Sequence, residues 1–550
     1  MTISTTRSRV ARAAFVALLM SSAATGALAA PKHKAARGPS TSALSAEVKS
    51  LREEVEALKA ALASQQQAQA QQQPQAQAQQ EQLDTLGKQL ADMKASQDTA
   101  TSDIATLKSP TGSAVKTSLS NGKPAFSTAD GNFTANIRAV VMFDAGAYLQ
   151  KDRLPATITG AARDLNDGTN FRRARFGIDG KLFKNFDYAL IYEFGGSGAE
   201  DAGHIQEAWI QYSALKPLRI RLGAFEPNIG LAAAVSTSQM PLLERPAAAE
   251  IARGVAAGDS RSALQVAGNG VFGEGDTGLA TRWFFSTAVT GNVVSTLNTA
   301  ASGFTPQPFG EQQAWIGRVA LAPFTPGFQA HIGANAQYVF HPSDSTGPGT
   351  VANRYPVQLR DRPELRIDST RLVDTGAIDA RHVSVYGAEA GLSVRNFMLE
   401  GEYFWYNIDR RNTTAVALAD PDFNGWYVQG AWVLTGESRP YNPAEARFDA
   451  PKPVYNFNPA AGTWGAWELA ARYSNINLNF REGVRGAATP AGGIRGGEQN
   501  IWTVGLNWYL NPSIRLMLDY SHVDVDRLTA AGLDQGQDFD TLALRTQFTF

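Results

Sequence analysis

The chain's 550 residues include 50 basic and 51 acidic side chains, 50 glycines and no cysteine. That length admits one large barrel with appendages. The missing cysteines exclude a disulfide framework and thiolate metal sites, and the balanced charge argues against a general nucleic-acid binder.

Residues 1–29 have the form of a secretory signal: Arg7, Arg9 and Arg12, a short apolar core from Ala13 to Met20, then the small-x-small sequence Ala27-Leu28-Ala29. The apolar core is too short to cross ~30 Å of hydrocarbon. No other stretch reaches the length of a membrane-spanning helix, so a membrane location has to come through strands. Residues 30–43 are a basic linker. Across 44–108, Leu44, Val48, Leu51, Val55, Leu58 and Leu62 follow a heptad, and Leu83, Leu86, Leu90, Met93, Ile104 and Leu107 resume it in the same phase after a Gln/Ala tract. This predicts an interrupted coiled coil. Val at a with Leu at d favours two strands, and a partly helical linker is the alternative. Residues 109–130 are read as a second linker.

From residue 131 the hydrophobic period is two. Phe186, Tyr188, Leu190, Tyr192 and Phe194 oppose Asp187 and Glu193; Ile514, Leu516, Leu518 and Tyr520 oppose Arg515 and Asp519. Short turns such as Lys184-Asn185 and Asn511-Pro512 alternate with long loops such as 226–261 and 341–381. Sixteen such segments, from 133–148 to 539–550, predict an all-β, antiparallel, transmembrane β-barrel of sixteen strands with the coiled coil on its short-turn, periplasmic side. The chain ends DFDTLALRTQFTF at Phe550, with Leu542, Leu544, Thr546, Phe548 and Phe550 on one face. An apolar terminal strand is a sticky edge in water and no edge at all in a closed barrel. Tyr403, Trp405, Trp432, Trp467, Trp502 and Trp508 fall on apolar faces near strand ends. A soluble sandwich would bury these rings, whereas a barrel uses them as interfacial girdles. Two features strain the pattern: the 437–463 connection is long on the short-turn side, and the strand-like ELRID at 364–368 has to be assigned to a loop.

The residues form no catalytic constellation. Six histidines lack metal-ligand spacing, and no nucleophile elbow, P-loop or dinucleotide fingerprint occurs. The glycines of 273–278 are assigned to a turn. The chain is read as a channel without enzymatic activity or cofactor, its chemistry in the lumen. Inward arginines are expected at 138, 173, 175, 219, 221, 282 and 318, and inward acids at Glu389, Glu400, Glu402 and Glu468, a positive wall facing a negative one. A sixteen-stranded barrel leaves a wide channel. The 226–261 loop is the candidate for narrowing it, with short helices at Ala232–Val235 and Ala247–Ala257. These would present Arg253 and Arg261, whose guanidinium groups hold anions bidentately, while Glu244, Glu250 and Asp259 orient or neutralise them.

FRRARFGIDGKLFKNFDYALIYEF (171–194), IQEAWIQYSALKPLRIRLGAF (205–225), TRLVDTGAIDA (370–380), GAWELAARYS (465–474) and GLNWYLNP (505–512) resemble the phosphate-selective porin O/P family. The resemblance spans roughly residues 130 to 550. It implies a sixteen-stranded outer-membrane porin of a Gram-negative bacterium, usually a homotrimer, that passes small anions, with phosphate or polyphosphate favoured. It also implies an arginine ladder leading to lysines at a constriction. Arg173, Arg175, Arg219 and Arg221 match the arginine-containing strand motifs. GAFEPNIGL departs from the family's pattern, with Glu226 where a lysine is expected. The candidate pore-lining and anion-binding set is Arg138, Arg173, Arg175, Arg219, Arg221, Arg253, Arg261, Arg282 and Arg318. Expected partners are outer-membrane lipid, small anionic solutes and, through the coiled coil, peptidoglycan or a periplasmic protein. A general or organic-solute porin, and an envelope tether acting through the coiled coil, are the alternatives.

Overall fold

The computed structural model describes residues 48–50, 52–56, 58–60, 62–63, 84–98, 115–120, 123–196, 203–258, 260–273, 279–294, 311–344, 354–412 and 417–550. The chain divides into two units, 1–107 and 108–550. In the first, the described residues are helical, and Val48, Val55, Leu58, Leu62, Leu86, Leu90 and Met93 of the heptad stripe are exposed. The signal segment 1–29, the linker 30–43 and most of the Gln/Ala tract lie outside the described residues.

The second unit is a closed antiparallel barrel of sixteen strands. In chain order they are β1 (Thr134–Gln150), β2 (Gly168–Leu182), β3 (Phe186–Glu193), β4 (His204–Tyr212), β5 (Leu218–Phe225), β6 (Arg261–Phe272), β7 (Ala280–Val293) and β8 (Gln313–Thr325). There follow β9 (Phe328–His341), β10 (Ile378–Val394), β11 (Phe397–Arg410), β12 (Asp422–Val433), β13 (Ala466–Phe480), β14 (Ile494–Tyr509), β15 (Ile514–Asp526) and β16 (Gln537–Thr549). Closure is made by β16 on β1, in register from Phe539 opposite Gln150 to Thr549 opposite Val140. Phe550 and Ala139 then exchange backbone hydrogen bonds. On β16, Leu542, Leu544 and Phe548 are 46, 46 and 40 % exposed, while Ala543, Arg545 and Gln547 between them are 4, 1 and 3 % exposed. The apolar face therefore points outward, as the two-residue period requires when the outer solvent is lipid. Near the short-turn end Trp467 and Trp508 stack at 4.9 Å. Farther up the wall Tyr403–Trp405 and Tyr473–Trp502 pair at 4.5 Å.

Residues 109–130, expected to be linker, contain a hairpin of Val115–Ser120 and Lys123–Thr128 that extends the sheet through Ala125–Ser127 onto the start of β1. Asn121-Gly122, a strong hairpin-turn dipeptide, stands between its strands.

Three connections fold into the lumen. The β5–β6 loop carries α1 (Leu231–Ala234) and α2 (Ala247–Ala256), where the alanine runs predicted helices. The β9–β10 loop contributes residues 354–377, including the ELRID segment. From the opposite end comes the long β12–β13 connection, whose Tyr441–Asn442 and Arg447–Phe448 pair as a small hairpin. It is long on the short-turn side because it fills the barrel from below: Ala446 and Phe448 are buried. The β5–β6 and β9–β10 loops pack Ala248, Ile251, Ala252, Leu365 and Leu372 into one core with Val383, Val385, Phe404, Tyr406, Phe423, Ile476 and Val523 of the wall. The inner face of β10–β15 is accordingly apolar toward the long-loop end, where simple alternation predicts polar residues. Burial of each large side chain there contributes about 1.5–3 kcal/mol, which holds the loops inside.

Candidate functional site: an arginine-lined cavity

The loops fill the lumen on the β9–β16 side and leave a cavity of about 1180 Å³ along β1–β5. Among the described residues, eleven arginines and five carboxylates line it, without a lysine. Arg138, Arg173, Arg175 and Arg221 come from the strands. The β5–β6 loop supplies Arg245 and Arg253; the β9–β10 loop supplies Arg360, Arg362, Arg366 and Arg371; the small hairpin supplies Arg447.

Strand periodicity places the first group. Arg173 and Arg175 share one face of β2, and Glu193 sits between them, 3.8 and 2.6 Å from their Nε atoms. A register shift opposite Met142 and Phe143 leaves Arg172 as an extra residue. The bulge turns it inward beside Arg173, and it grips Glu244 at 2.7 and 3.0 Å. Arg138 lies 3.5 Å from Asp179 and 3.8 Å from Glu207. The Arg221 guanidinium lies over the Trp209 ring, 4.2 Å from its centroid, and donates from Nε to Gln211 at 3.0 Å.

In the loops, Arg253 clasps Glu250 at 2.7 and 3.0 Å and stands 3.5 Å from Glu226. Arg366 pairs with Glu250 at 2.8 Å and approaches Glu244 at 3.6 Å. Burial pushes the Glu244 carboxyl up, but the guanidinium groups of Arg172, Arg545 and Arg366 outweigh it and hold the group well below the ordinary carboxylate range. Glu250 is held down in the same way by Arg253 and Arg366. Asp361 goes the other way: burial, reinforced by nearby Glu250, overrides Arg366 and pushes it up to about 6.

Five of the nine sequence candidates thus meet at the cavity: Arg138, Arg173, Arg175, Arg221 and Arg253. Four do not line it. Arg318 donates to Glu389 at 2.7 and 2.9 Å, to Asn228 at 2.6 Å, and to the carbonyls of Glu445 and Ala446 at 2.9 and 2.8 Å. Arg219 binds Asn269 at 2.9 Å and the Ala444 carbonyl. Arg261 donates to the carbonyls of Gly291 and Gly254 at 3.1 and 2.9 Å. Arg282 stacks on Phe324 at 3.5 Å. These four join wall to wall or wall to loop.

The expected negative wall is present in sequence and hidden in structure. Glu402 accepts from the backbone N–H groups of Leu231 and Ala232 at 2.8 Å and from the Tyr427 hydroxyl at 2.7 Å. Gly230 permits this approach: its φ is +64°, and a Cβ there would lie 2.1 Å from Glu402 Oε1. Glu468 takes Arg439 at 2.6 and 2.9 Å, and Asp519 takes the Leu243 N–H at 2.8 Å. The acids fasten the loops, the loops cover the acids, and the cavity keeps the positive excess.

Sequence reasoning missed Arg245, Arg360, Arg362, Arg366, Arg371 and Arg447. For the four of the β9–β10 loop the signal lay in 359–372, where arginines interleave with Leu359, Leu365, Ile367 and Leu372. A solvated outer loop has no use for those apolar residues.

The family model described as "Phosphate-selective porin O and P" matches residues 153–550. Porin O of Pseudomonas aeruginosa is 26 % identical over 408 residues, covering 70 % of this chain and 82 % of that one. An uncharacterized protein of Caulobacter vibrioides is 25 % identical over 411 residues, covering 74 % of this chain and 72 % of that one. Among solved structures, an anion-selective porin from Comamonas acidovorans aligns at a TM-score of 0.41 and 13 % identity, covering 76 % of this chain and 100 % of that one. OprB of Pseudomonas putida aligns at 0.43 and 9 %, covering 76 % and 94 %. With a family match across most of its length and a closed sixteen-stranded barrel, the chain belongs to the phosphate-selective porin O and P family.

Proposed function

We propose that this protein is a passive channel of the outer membrane that passes small anions, phosphate among them. The observation that carries the reading is the cavity's charge: eleven arginines against five carboxylates. Guanidinium groups stay charged at any physiological pH and pair bidentately with phosphate and carboxylate. A narrow, partly dry passage magnifies that field relative to bulk water. The family description, phosphate-selective, agrees with this sign of selectivity. Solutes enter from the long-loop, extracellular side, move along β1–β5 past Arg253 and Arg221, and leave on the periplasmic side. The solute gradient is the driving force.

The test is planar-bilayer recording of the purified protein in unequal KCl. A reversal potential of the sign set by chloride, and block of chloride current by added phosphate, are the expected results. A potassium-selective channel would overturn the reading.

A further inference from the structure

Two sets of lumen carboxylates contrast in their partners. Glu193, Glu389 and Glu468 have side chains 0 % exposed, each 2.6–2.7 Å from a guanidinium. Glu207 and Glu445 line the cavity with side chains 26 and 28 % exposed, and their nearest guanidinium groups stand 3.8 and 3.7 Å away. A neutral donor steadies each one. Trp209 Nε1 donates to Glu207 Oε2 at 3.0 Å, and Asn228 Nδ2 donates to Glu445 Oε2 at 2.7 Å. Beside them stand two guanidinium groups with unused donors. Arg221 donates only through Nε, to Gln211, and Arg138 makes only ion pairs of 3.5 Å and longer. Arg138 stands 3.8 Å from Glu207, the Trp209 ring that donates to Glu207 lies under the Arg221 guanidinium, and Glu445 lines the same cavity.

A simple anion gains from Arg138 and Arg221 and is repelled by Glu207 and Glu445. A solute that bears hydroxyl or ammonium donors next to its anionic group satisfies all four: the guanidinium groups take the anion and the carboxylates accept from the donors. We propose that Arg138, Arg221, Glu207 and Glu445 form a subsite for organic anions of this kind, polyol phosphates or hydroxy-carboxylates. The inference rests on the anion-channel reading and narrows its solute class.

The probes are glycerol 3-phosphate and propyl phosphate, which share charge and chain length and differ in two hydroxyls. In recordings of the full chain, glycerol 3-phosphate should block chloride current about tenfold more tightly, the size of one hydrogen bond to a charged acceptor. The double variant Glu207→Gln, Glu445→Gln should shrink that preference to about threefold or less. The comparison on the unaltered protein stands even if the variant fails to fold. Equal block by the two esters, or none, in an anion-selective channel would overturn the subsite alone. A cation-selective channel would overturn the anion reading with it.

Discussion

The Arg221 guanidinium rests on Trp209 with its terminal nitrogens unbonded, whereas Arg318 commits every N–H to Glu389, Asn228 and two carbonyls of the small hairpin. The two residues share the inner face of the same sheet and differ in what surrounds them. Replacing Arg221 with Gln removes a cavity charge, so the chloride-over-potassium permeability ratio should fall several-fold while the unfolding temperature in detergent stays unchanged; reversal potentials and a melting curve check both. Arg318→Met strips the buried Glu389 of its guanidinium and leaves it the His331 ring at 3.3 Å. That variant should lose about 3–5 kcal/mol of stability, read as a lower denaturant midpoint. Asp361 supplies a pH test. Its native pKa is raised from 3.8 to about 6, so its cost to folding is absent below about pH 4, grows as pH rises, and is complete above about 6. Asp361→Asn should therefore stabilise the barrel above pH 6 and have little effect below pH 4, measured as melting temperature against pH.

At the scale of elements, the constriction is an assembly of loops rather than a property of any one. Arg447 reaches the Ala234 carbonyl, Arg439 the Gln239 carbonyl at 3.0 Å, and Asn228 the Glu445 backbone at 3.1 Å, so the small hairpin from one end locks to the β5–β6 loop from the other. Excising residues 440–448 removes the Arg447 and Glu445 contacts, takes both side chains from the cavity and leaves the Arg439 contact in place. Single-channel conductance should rise at least twofold, and an unchanged conductance would show that the hairpin does not limit flow. The β2 bulge and Gly230 are smaller devices of the same sort: one aims Arg172 at Glu244, and the other lets Glu402 reach the first turn of α1.

At the scale of the molecule, closure is made within residues 108–550, where the last strand pairs with β1. A chain lacking residues 40–108, with residues 1–39 retained, should form channels of unaltered conductance. A changed conductance would tie the N-terminal helices to the pore. If envelope integrity fails while solute uptake persists, the tethering reading of that segment gains.

The strand count, the outward apolar face, the aromatic bands and the helical alanine runs in the β5–β6 loop were legible in the sequence because each follows from a local period of two or 3.6 residues. Which arginines face open space was not, since that depends on partners far away in the chain: Glu244 meets Arg545 across 301 residues, and Arg472 meets Glu364 across 108. A lumen arginine and a lumen glutamate look alike on a strand whether they line a passage or pin a loop. Only the inward folding of three connections decided it, by covering the acidic half of the wall with loop backbone, arginines and apolar side chains and leaving the basic half to line the cavity.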